Sequence, residues 1–403
     1  MRQGLLIAAT ALWAGAATAQ TVTLVPRLPA HRQALAVNVG GRVATHSLPG
    51  GGTEYEHQWP GVYFESRFKG TKAYLAFNDT LNEYRVIVDD GTPLTLNQPG
   101  KGVFEVAGLA PGTHTMRLEK VTESQSTSGA FDGFSIPASE RPLSIPPRVR
   151  QMEFIGDSSM TGYGDRSTTR KCTDEERRAR TDTQQGYAAL TAKHFNADYQ
   201  INAVSGRGLI RNYGGFAPEA AISHVYANTL IDGTAPYNDP TWQPRIVVVE
   251  LGADFAKPLT PGEHWATQKD LEADFNKSML AFTTMLHQRY PTASILTWAP
   301  SSEAMKDPAL SKQIGEMEAQ YTAVYQKIGF PNVGFVPSPS GPNQGTGCDY
   351  HGSLTDLKNT AMAMVTYIDA HPELWGPTAP AKSERRKSFL RKRPNGSLLS
   401  GNQ

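Results

Sequence analysis

The spacing of hydrophobic residues changes near residue 140, and this change divides the chain into two parts. From Val22 to about Pro137, short β-type runs alternate with turns made of Gly, Asn, Asp and Pro, and no helical periodicity of useful length occurs. The predicted strands are Ala34–Val39, Gly61–Phe68, Ala73–Phe77, Tyr84–Val88, Gly102–Val106 and His114–Lys120. Short strands at this spacing predict an antiparallel β-sandwich.

In the second part, near-continuous apolar runs alternate with segments of helical periodicity. The predicted strands are the run that ends at Ser158, then Tyr199–Val204, Ile246–Leu251, Ser294–Trp298 and Val333–Val336. The predicted helices are Gln185–Phe195, Pro218–Leu230, Gln268–Arg289, Leu310–Ile328 and Leu354–Ile368. Such alternation predicts an α/β domain in which a parallel sheet carries helices on both faces, a three-layer α/β/α arrangement.

These patterns predict the domain boundaries. We expect a β-sandwich over residues 20–137, a Pro- and Ser-rich linker over 138–148 and the α/β domain over 149–376. Arg2, an apolar run and Ala17-Thr18-Ala19 match a secretory signal over residues 1–19, cleaved after Ala19. Residues 377–403 are basic and poor in apolar side chains, which predicts a disordered tail; weak adhesion to an acidic surface is the less favoured alternative. The predicted signal sequence indicates a periplasmic or extracellular protein, and we expect no membrane-spanning segment.

Composition and charge narrow the class of partner. The chain has 403 residues with a formal net charge of +1, and no basic patch with interleaved aromatics occurs in its body. A role in nucleic-acid binding is therefore not expected. The only two cysteines, Cys172 and Cys348, can form a disulfide in an oxidising compartment, the alternative being two unrelated buried thiols.

The stretch from Phe154 to Gly164 holds the first candidate for chemistry. A buried strand stops at Gly156-Asp157-Ser158, a turn that displays a serine able to act as a nucleophile, although a plain strand-to-loop turn has the same composition. His351 is the candidate base, and Asp349 can orient or charge-balance its imidazole. The backbone N–H groups of Ser158 and Gly206 are candidates for an oxyanion hole.

The chain contains, in order, four blocks that resemble those of the SGNH (GDSL-type) hydrolases: Gly156-Asp157-Ser158, the Gly206 segment, the Leu251-Gly252 strand end and Asp349-Tyr350-His351. Further blocks sharpen the resemblance to carbohydrate esterase family 2: Gly112-Thr113-His114, Ser205-Gly206-Arg207-Gly208, Arg211-Asn212-Tyr213 and Gly347-Cys348-Asp349-Tyr350-His351. The resemblance implies a jelly-roll domain ahead of an SGNH domain, and removal of acetyl groups from xylan and other plant polysaccharides without a metal or other cofactor. It covers nearly the whole chain between the signal sequence and the tail.

One block departs from the family pattern. The family usually has Gly-Thr-Asn-Asp where this chain has Gly252-Ala253-Asp254-Phe255, so the Asn that donates its amide to the oxyanion is missing. Either Asp254 takes its position or one residue is deleted. An ionised Asp cannot donate a hydrogen bond and would repel the oxyanion, whereas a protonated Asp could donate. We therefore predict an esterase that is slower than its relatives, or one that uses another donor, and a rise in turnover in Asp254→Asn.

The leading functional hypothesis is a secreted, monomeric serine esterase that acts on an acetylated polysaccharide or oligosaccharide. Two alternatives stay open: a carbohydrate-binding protein on an inactive esterase scaffold, and an esterase or acyltransferase for another acylated glycan. We expect Tyr350, Tyr213 and Trp298 to line the substrate cleft, although core or rim packing is the ordinary role of such residues. No His/Cys/Asp cluster has the spacing of metal ligands, so no metal is expected.

Overall fold

The computed structural model describes residues 20–49, 51–298, 333–336 and 344–376, together with isolated positions between 312 and 327. The predicted signal sequence and basic tail lie outside the described residues, and so does most of the helix predicted over 310–328.

The first part of the described chain forms two antiparallel sheets packed face to face. In sequence order its strands are β1 Thr21–Val25, β2 Arg32–Ala34, β3 Asn38–Gly40, β4 Ala44–Ser47, β5 Thr53–His57, β6 Tyr63–Gly70, β7 Ala73–Asn78, β8 Glu83–Val88, β9 Leu94–Asn97, β10 Val103–Ala107, β11 Gly112–Lys120, β12 Gly129–Pro137 and β13 Arg141–Leu143. One sheet has the order β1-β10-β7-β12-β5-β4 with β2 beside β12, and the other has β13-β6-β11-β8-β9 with β3 beside β6. The predicted β-sandwich is confirmed.

Alternating side chains build the sandwich core. Along β8 the buried residues are Tyr84, Val86 and Val88, while the residues between them are half-buried, as expected for a strand with one face on the core. Strand β12 was not predicted from the sequence. Its pairing with β7 shifts register between Phe131 and Phe134, which breaks the alternation of buried and exposed residues. Strand β13 pairs with β6 inside the segment predicted as a linker.

The second part contains the predicted parallel sheet. Its strands β14 Arg150–Gly156, β15 Ala197–Ala203, β16 Ile246–Glu250, β17 Ser294–Trp298 and β18 Val333–Val336 lie in the order β15-β14-β16-β17-β18 among the described residues. The described α-helices are α1 Ser158–Thr161, α2 Asp174–Ala179, α3 Tyr187–His194, α4 Ile222–Val225, α5 Gln268–Arg289 and α6 Leu354–Ala370. None of them combines the length and apolar character that a membrane crossing requires.

Local sequence explains one helix, whereas a β-bridge accounts for the failure of another predicted helix. Helix α5 begins at a capping box formed by Thr267 and Asp270, and its apolar stripe, which includes Phe275, is buried as predicted. The helix predicted over 218–230 is wrong: only the 3-10 turn Pro218–Ala220 and α4 form there. The chain leaves the helix because Asn228 bridges to Pro236 instead.

The carboxyl ends of β14, β15 and β16 meet at one edge of the parallel sheet. The residues that follow these strands are Asp157-Ser158, Val204-Ser205-Gly206 and Leu251-Gly252, so the topology brings three loops together there. Side chains at the ends of parallel strands commonly form the binding sites of such sheets. This edge of the sheet is therefore the place to look for the chemistry.

Candidate active site

The nucleophile candidate lies at the start of a one-turn helix. Asp157 is the N-cap of α1, and its carboxylate accepts the N–H of Ser159 at 3.2 Å, which leaves Ser158 as the first helical residue. Gly156 is required at the strand end because a Cβ there would lie 2.7 Å from the Glu250 carbonyl oxygen. The turn therefore presents Ser158 at the sheet edge without a bulky side chain beneath it.

His351 faces Ser158 from the far end of the chain. Its Nε2 lies 2.8 Å from Ser158 Oγ, and its Nδ1 lies 2.9 Å from the carbonyl oxygen of Cys348. A carbonyl oxygen only accepts, so Nδ1 carries the proton and Nε2 is the acceptor for the Ser158 hydroxyl. Burial lowers the pKa of His351, which keeps the imidazole neutral and able to take up a proton.

Asp349 does not take the predicted position beside the imidazole. Its carboxylate accepts the hydroxyl of Tyr163 at 2.8 Å, and the ring of Tyr163 lies against His351 with the centroids 4.2 Å apart. The reason is local, because the 3-10 turn Cys348–Tyr350 points the Cys348 carbonyl at both the backbone N–H and Nδ1 of His351. The negative charge of Asp349 still raises the pKa of His351, against the larger effect of burial.

The backbone N–H groups predicted for the oxyanion hole are those of Ser158 and Gly206. Within the described residues, neither the N–H of Ser158 nor that of Gly206 donates to a protein acceptor. Gly206 has a φ of +78°, a left-handed conformation that glycine adopts without strain. Asn212 stabilises the loop that follows by accepting the Gly208 N–H and donating to the Phe216 and Ala217 carbonyls.

The expectation that Asp254 donates to the oxyanion is wrong. Its carboxylate is buried and accepts three backbone N–H groups, from Leu209, Ile210 and Arg211, at 2.8 to 2.9 Å. Burial raises the pKa of Asp254 to about 6, against the lowering effect of these three bonds. A group that receives three donors holds a loop in place, which agrees with the alternative that one residue is deleted from the block.

A buried carboxyl pair under the nucleophile escaped the sequence analysis. Glu250 ends β16, is buried, and accepts a hydrogen bond from the Tyr187 hydroxyl. The pKa values of Glu250 and Asp157 are both raised, chiefly by burial. For Glu250, repulsion from the Asp157 carboxylate raises the pKa further. A charged residue at the end of an otherwise apolar strand was the only signal of it in the sequence.

Exposed aromatic side chains surround the site. Tyr213 and Tyr350 are each nearly half exposed, as is Phe216, which sequence reasoning missed. A Cβ built on Gly206 would lie 3.5 Å from the ring of Phe216 and 3.8 Å from Tyr213, so both residues flank this loop. Trp298 is only 4% exposed and packs with Tyr187 in the core, so its prediction as a cleft-lining residue is wrong.

The predicted disulfide is confirmed. Cys172 and Cys348 are bonded, and they join the loop before α2 to the turn that carries His351. The described chain has no free cysteine. It also has no group of three or more His, Cys, Asp or Glu side chains able to hold a metal, and metal independence stays a prediction.

Comparisons with known proteins decide the family. The model of the carbohydrate esterase 2 N-terminal domain matches residues 39–146, and that of the GDSL-like lipase/acylhydrolase family matches residues 154–377. An acetylxylan esterase / glucomannan deacetylase of Cellvibrio japonicus is 38% identical over 85% of this chain and 92% of its own length. The chain belongs to carbohydrate esterase family 2.

Solved structures of this family have the same fold. One, a carbohydrate esterase whose active site has divergent catalytic and non-catalytic binding functions, is 37% identical, with a TM-score of 0.78 over 85% of this chain and all of its own. A family two carbohydrate esterase of Clostridium thermocellum, in complex with cellohexaose, is 26% identical, with a TM-score of 0.71 over 84% of this chain and all of its own. This carbohydrate esterase is thus a carboxylic ester hydrolase of the acetylxylan esterase type, with a jelly-roll domain ahead of an SGNH domain.

Proposed function

We propose that this carbohydrate esterase removes O-acetyl groups from plant polysaccharides such as xylan or glucomannan through an acyl-enzyme on Ser158. The observation that carries the proposal is the 2.8 Å distance between Ser158 Oγ and His351 Nε2, beside two N–H groups that have no acceptor among the described residues. A serine, a neutral imidazole and free backbone donors are the parts that acyl transfer needs.

The proposed reaction has two halves. Ser158 Oγ attacks the acetyl carbonyl as its proton passes to His351 Nε2, and the N–H groups of Ser158 and Gly206 bind the oxyanion of the tetrahedral intermediate. The intermediate collapses, the bond to the sugar oxygen breaks, and His351 returns the proton to that oxygen. Water then attacks the acetyl-enzyme with His351 as base, and acetate leaves as Ser158 regains its proton.

In this proposal the Cys348 carbonyl holds the imidazole in the reactive tautomer. Asp349 acts through its charge and through Tyr163 rather than by a direct bond to His351. Tyr350 and Tyr213 are proposed to contact the sugar, because each ring is nearly half exposed near the nucleophile, with Arg170 over Tyr350 and Lys257 over Tyr213. The similarity to a relative named acetylxylan esterase / glucomannan deacetylase, 38% identical, supports the substrate class.

We further propose that the protein is exported and acts as a monomer. The disulfide supports export, because such bonds persist in oxidising compartments. Mass spectrometry of the mature protein from the native host should show a chain that begins at Gln20, and size-exclusion chromatography with light scattering gives its oligomeric state.

The experiment that tests the function is acetate release from acetylated xylan and acetylated glucomannan by the wild-type protein and by Ser158→Ala. We expect release by the wild type, none by Ser158→Ala, and labelling of Ser158 by a fluorophosphonate. The second candidate, a glycan-binding protein, is motivated by the absence of a donor at Asp254. Glycan binding by both proteins, with no acetate release and no labelling of the wild type, would favour it.

A further inference from the structure

A segment of the β-sandwich domain contacts the loop of the SGNH domain that carries Ser205 and Gly206, the oxyanion loop. Residues 121–128 connect β11 to β12, and two of their side chains bind Ser205. The carboxylate of Glu123 accepts the Ser205 N–H at 2.7 Å and the Ser205 hydroxyl at 2.6 Å. The amide of Gln125 donates to the Ser205 carbonyl oxygen at 3.1 Å. The sandwich domain thereby satisfies the backbone N–H, the carbonyl and the hydroxyl of one residue.

The bond from Gln125 bears directly on the proposed oxyanion donor. The carbonyl of Ser205 and the N–H of Gly206 belong to the same peptide unit, which is planar, so fixing the oxygen fixes the direction of the N–H. A hydrogen bond to the carbonyl also polarises the unit and strengthens its N–H as a donor. Gly206 needs such support because glycine offers little resistance to rotation of its own backbone.

The same network reaches the helix that carries the nucleophile. Thr161 Oγ1, on α1, lies 2.8 Å from Ser205 Oγ and 3.2 Å from the carbonyl oxygen of Ser158. The two proposed oxyanion donors, Ser158 and Gly206, are therefore both within a few bonds of Glu123. A single carboxylate in the sandwich domain connects the oxyanion loop with the nucleophile helix.

The segment that presents these side chains is itself held firmly. The buried ammonium of Lys120 donates to the carbonyls of Gln58 and Trp59 and to the Ser124 hydroxyl. The Gln58 amide in turn donates to the Gln125 carbonyl, and Gln125 Nε2 also bonds the Glu123 carboxylate at 3.1 Å. A segment fixed by its own domain can fix a loop of the other domain.

We infer that Glu123 and Gln125 are positioning residues that orient the Gly206 N–H toward the oxyanion, so that the β-sandwich domain is part of the hydrolytic machinery. The inference rests on the proposed function, since it assigns a support to the oxyanion donor of that reaction. Neither residue contacts the reacting atoms.

The test compares four variants with the wild type on a chromogenic acetate. For Gln125→Ala and Glu123→Ala we expect kcat to fall about tenfold or more, with KM changed less than about twofold, because misplacing a donor of the transition state affects the chemical step. Glu123→Gln, which keeps an acceptor for the Ser205 N–H, should recover most of the loss. Fluorophosphonate labelling of Ser158 should slow in parallel with kcat, because the phosphonyl oxygen uses the same donors.

Thr122→Val is the matched control. The Thr122 hydroxyl accepts the Glu83 N–H and donates to Asn82 in the same segment, without contact with Ser205. Its removal should lower Tm and leave kcat unchanged, which separates a loss of stability from a loss of positioning.

The outcomes distinguish the two proposals. A wild type that releases acetate while Gln125→Ala keeps its kcat overturns this inference alone. The same holds if Glu123→Gln is no better than Glu123→Ala, or if Thr122→Val loses as much kcat as Gln125→Ala. A wild type that neither hydrolyses an ester nor reacts with the fluorophosphonate overturns the proposed function, and the inference with it.

Discussion

The orientation of His351 depends on a backbone carbonyl rather than on a carboxylate. The Cys348 carbonyl accepts both the backbone N–H and the Nδ1–H of His351, and Tyr163 covers the face of the ring. A carbonyl from the same turn holds the tautomer as a carboxylate would, although it adds no full negative charge. The arrangement of the residues next to His351 therefore differs from that of a Ser-His-Asp triad.

The first prediction concerns Asp349→Asn. Loss of a triad carboxylate that holds the imidazole costs about ten-thousandfold in kcat. We expect less than about a tenfold loss here, because the Cys348 carbonyl keeps the tautomer and an Asn side chain still accepts from Tyr163. Steady-state kinetics on a chromogenic acetate measures it, with Asp174→Asn as the exposed acidic control. A loss of a thousandfold or more would show that the Asp349 carboxylate bonds His351 during turnover.

The second prediction is the pH dependence of kcat/KM. Because burial lowers the pKa of His351 below its ordinary 6.5, the neutral, reactive form persists into mildly acidic solution. As the pH rises, kcat/KM should climb through an apparent pKa below 6.5 and then level off. A pH profile on a non-ionising acetate ester measures this limb. A midpoint above 6.5 would contradict the lowered pKa of His351.

The third prediction concerns Asp254→Asn. An Asn offers one acceptor oxygen to the three N–H groups of residues 209–211, and its NH2 group would face one of them. We expect a loss of about 1–3 kcal/mol in the free energy of unfolding and no gain in kcat. Urea denaturation and kinetics measure both quantities, with the exposed Asp90→Asn as control. An increase in kcat would place Asp254 at the oxyanion after all.

At the scale of elements, two devices hold the His351 turn. One is the N-terminus of α6, where Asp356 accepts the N–H groups of Gln344 and Gly345 as well as the N–H and hydroxyl of Ser353. The other is the disulfide from Cys172 to Cys348, the residue whose carbonyl bonds the imidazole. The turn is thus fixed to the helix after it and to the loop before α2.

The fourth prediction is that the disulfide supports activity as well as stability. The double variant Cys172→Ala/Cys348→Ala should lose about 2–5 kcal/mol of stability, because the bond closes a long loop of the unfolded chain. Its kcat should fall, because the Cys348 carbonyl is no longer fixed beneath His351. Thermal unfolding and kinetics measure both, and reductant should affect the wild type but not the variant. An unchanged kcat would show that α6 alone holds the turn.

At the scale of the whole molecule, buried polar groups join the two domains. Arg42, from the sandwich domain, is buried and pairs with Glu153 of β14 at 3.2 Å, and its guanidinium also contacts the rings of Tyr226 and Tyr237. Glu153 further accepts from Asn202, Tyr226 and Trp242. Such a network tolerates the loss of a member poorly.

The fifth prediction is that the two domains unfold together and that Arg42→Ala lowers the free energy of unfolding of both. Removing Arg42 leaves the Glu153 carboxylate buried without its cation, which costs about 3–5 kcal/mol. Urea denaturation followed by fluorescence and by loss of activity should give coincident transitions, shifted together in Arg42→Ala. Arg27→Ala, at an exposed position, is the control. Two separate transitions in the wild type would contradict the coupling of the domains.

Sequence patterns were sufficient to predict the two fold classes, the five described strands of the parallel sheet, the helix Gln268–Arg289 and the proximity of Ser158 to His351. These features have local signals: apolar periodicity, capping residues and a serine after a strand end. The disulfide could also be predicted from the sequence, because the chain has only two cysteines. Strands such as Gly129–Pro137 and the region 218–230 were not predictable, since a register shift and a bridge to Pro236 override local preference.

The contacts of individual side chains could not be predicted from the sequence and depend on the packing of the folded chain. In the sequence, Asp349, Asp254 and Trp298 each lie next to a candidate site residue or a strand end. In the structure, Asp349 bonds the Tyr163 hydroxyl, Asp254 accepts three backbone N–H groups, and Trp298 is buried in the core. Glu123 and Gln125 lie far from Ser205 in the chain and meet it only when the two domains pack. Neighbours along a chain share a segment, but hydrogen bonds depend on direction and distance in space, and these are set by the packing of the whole molecule.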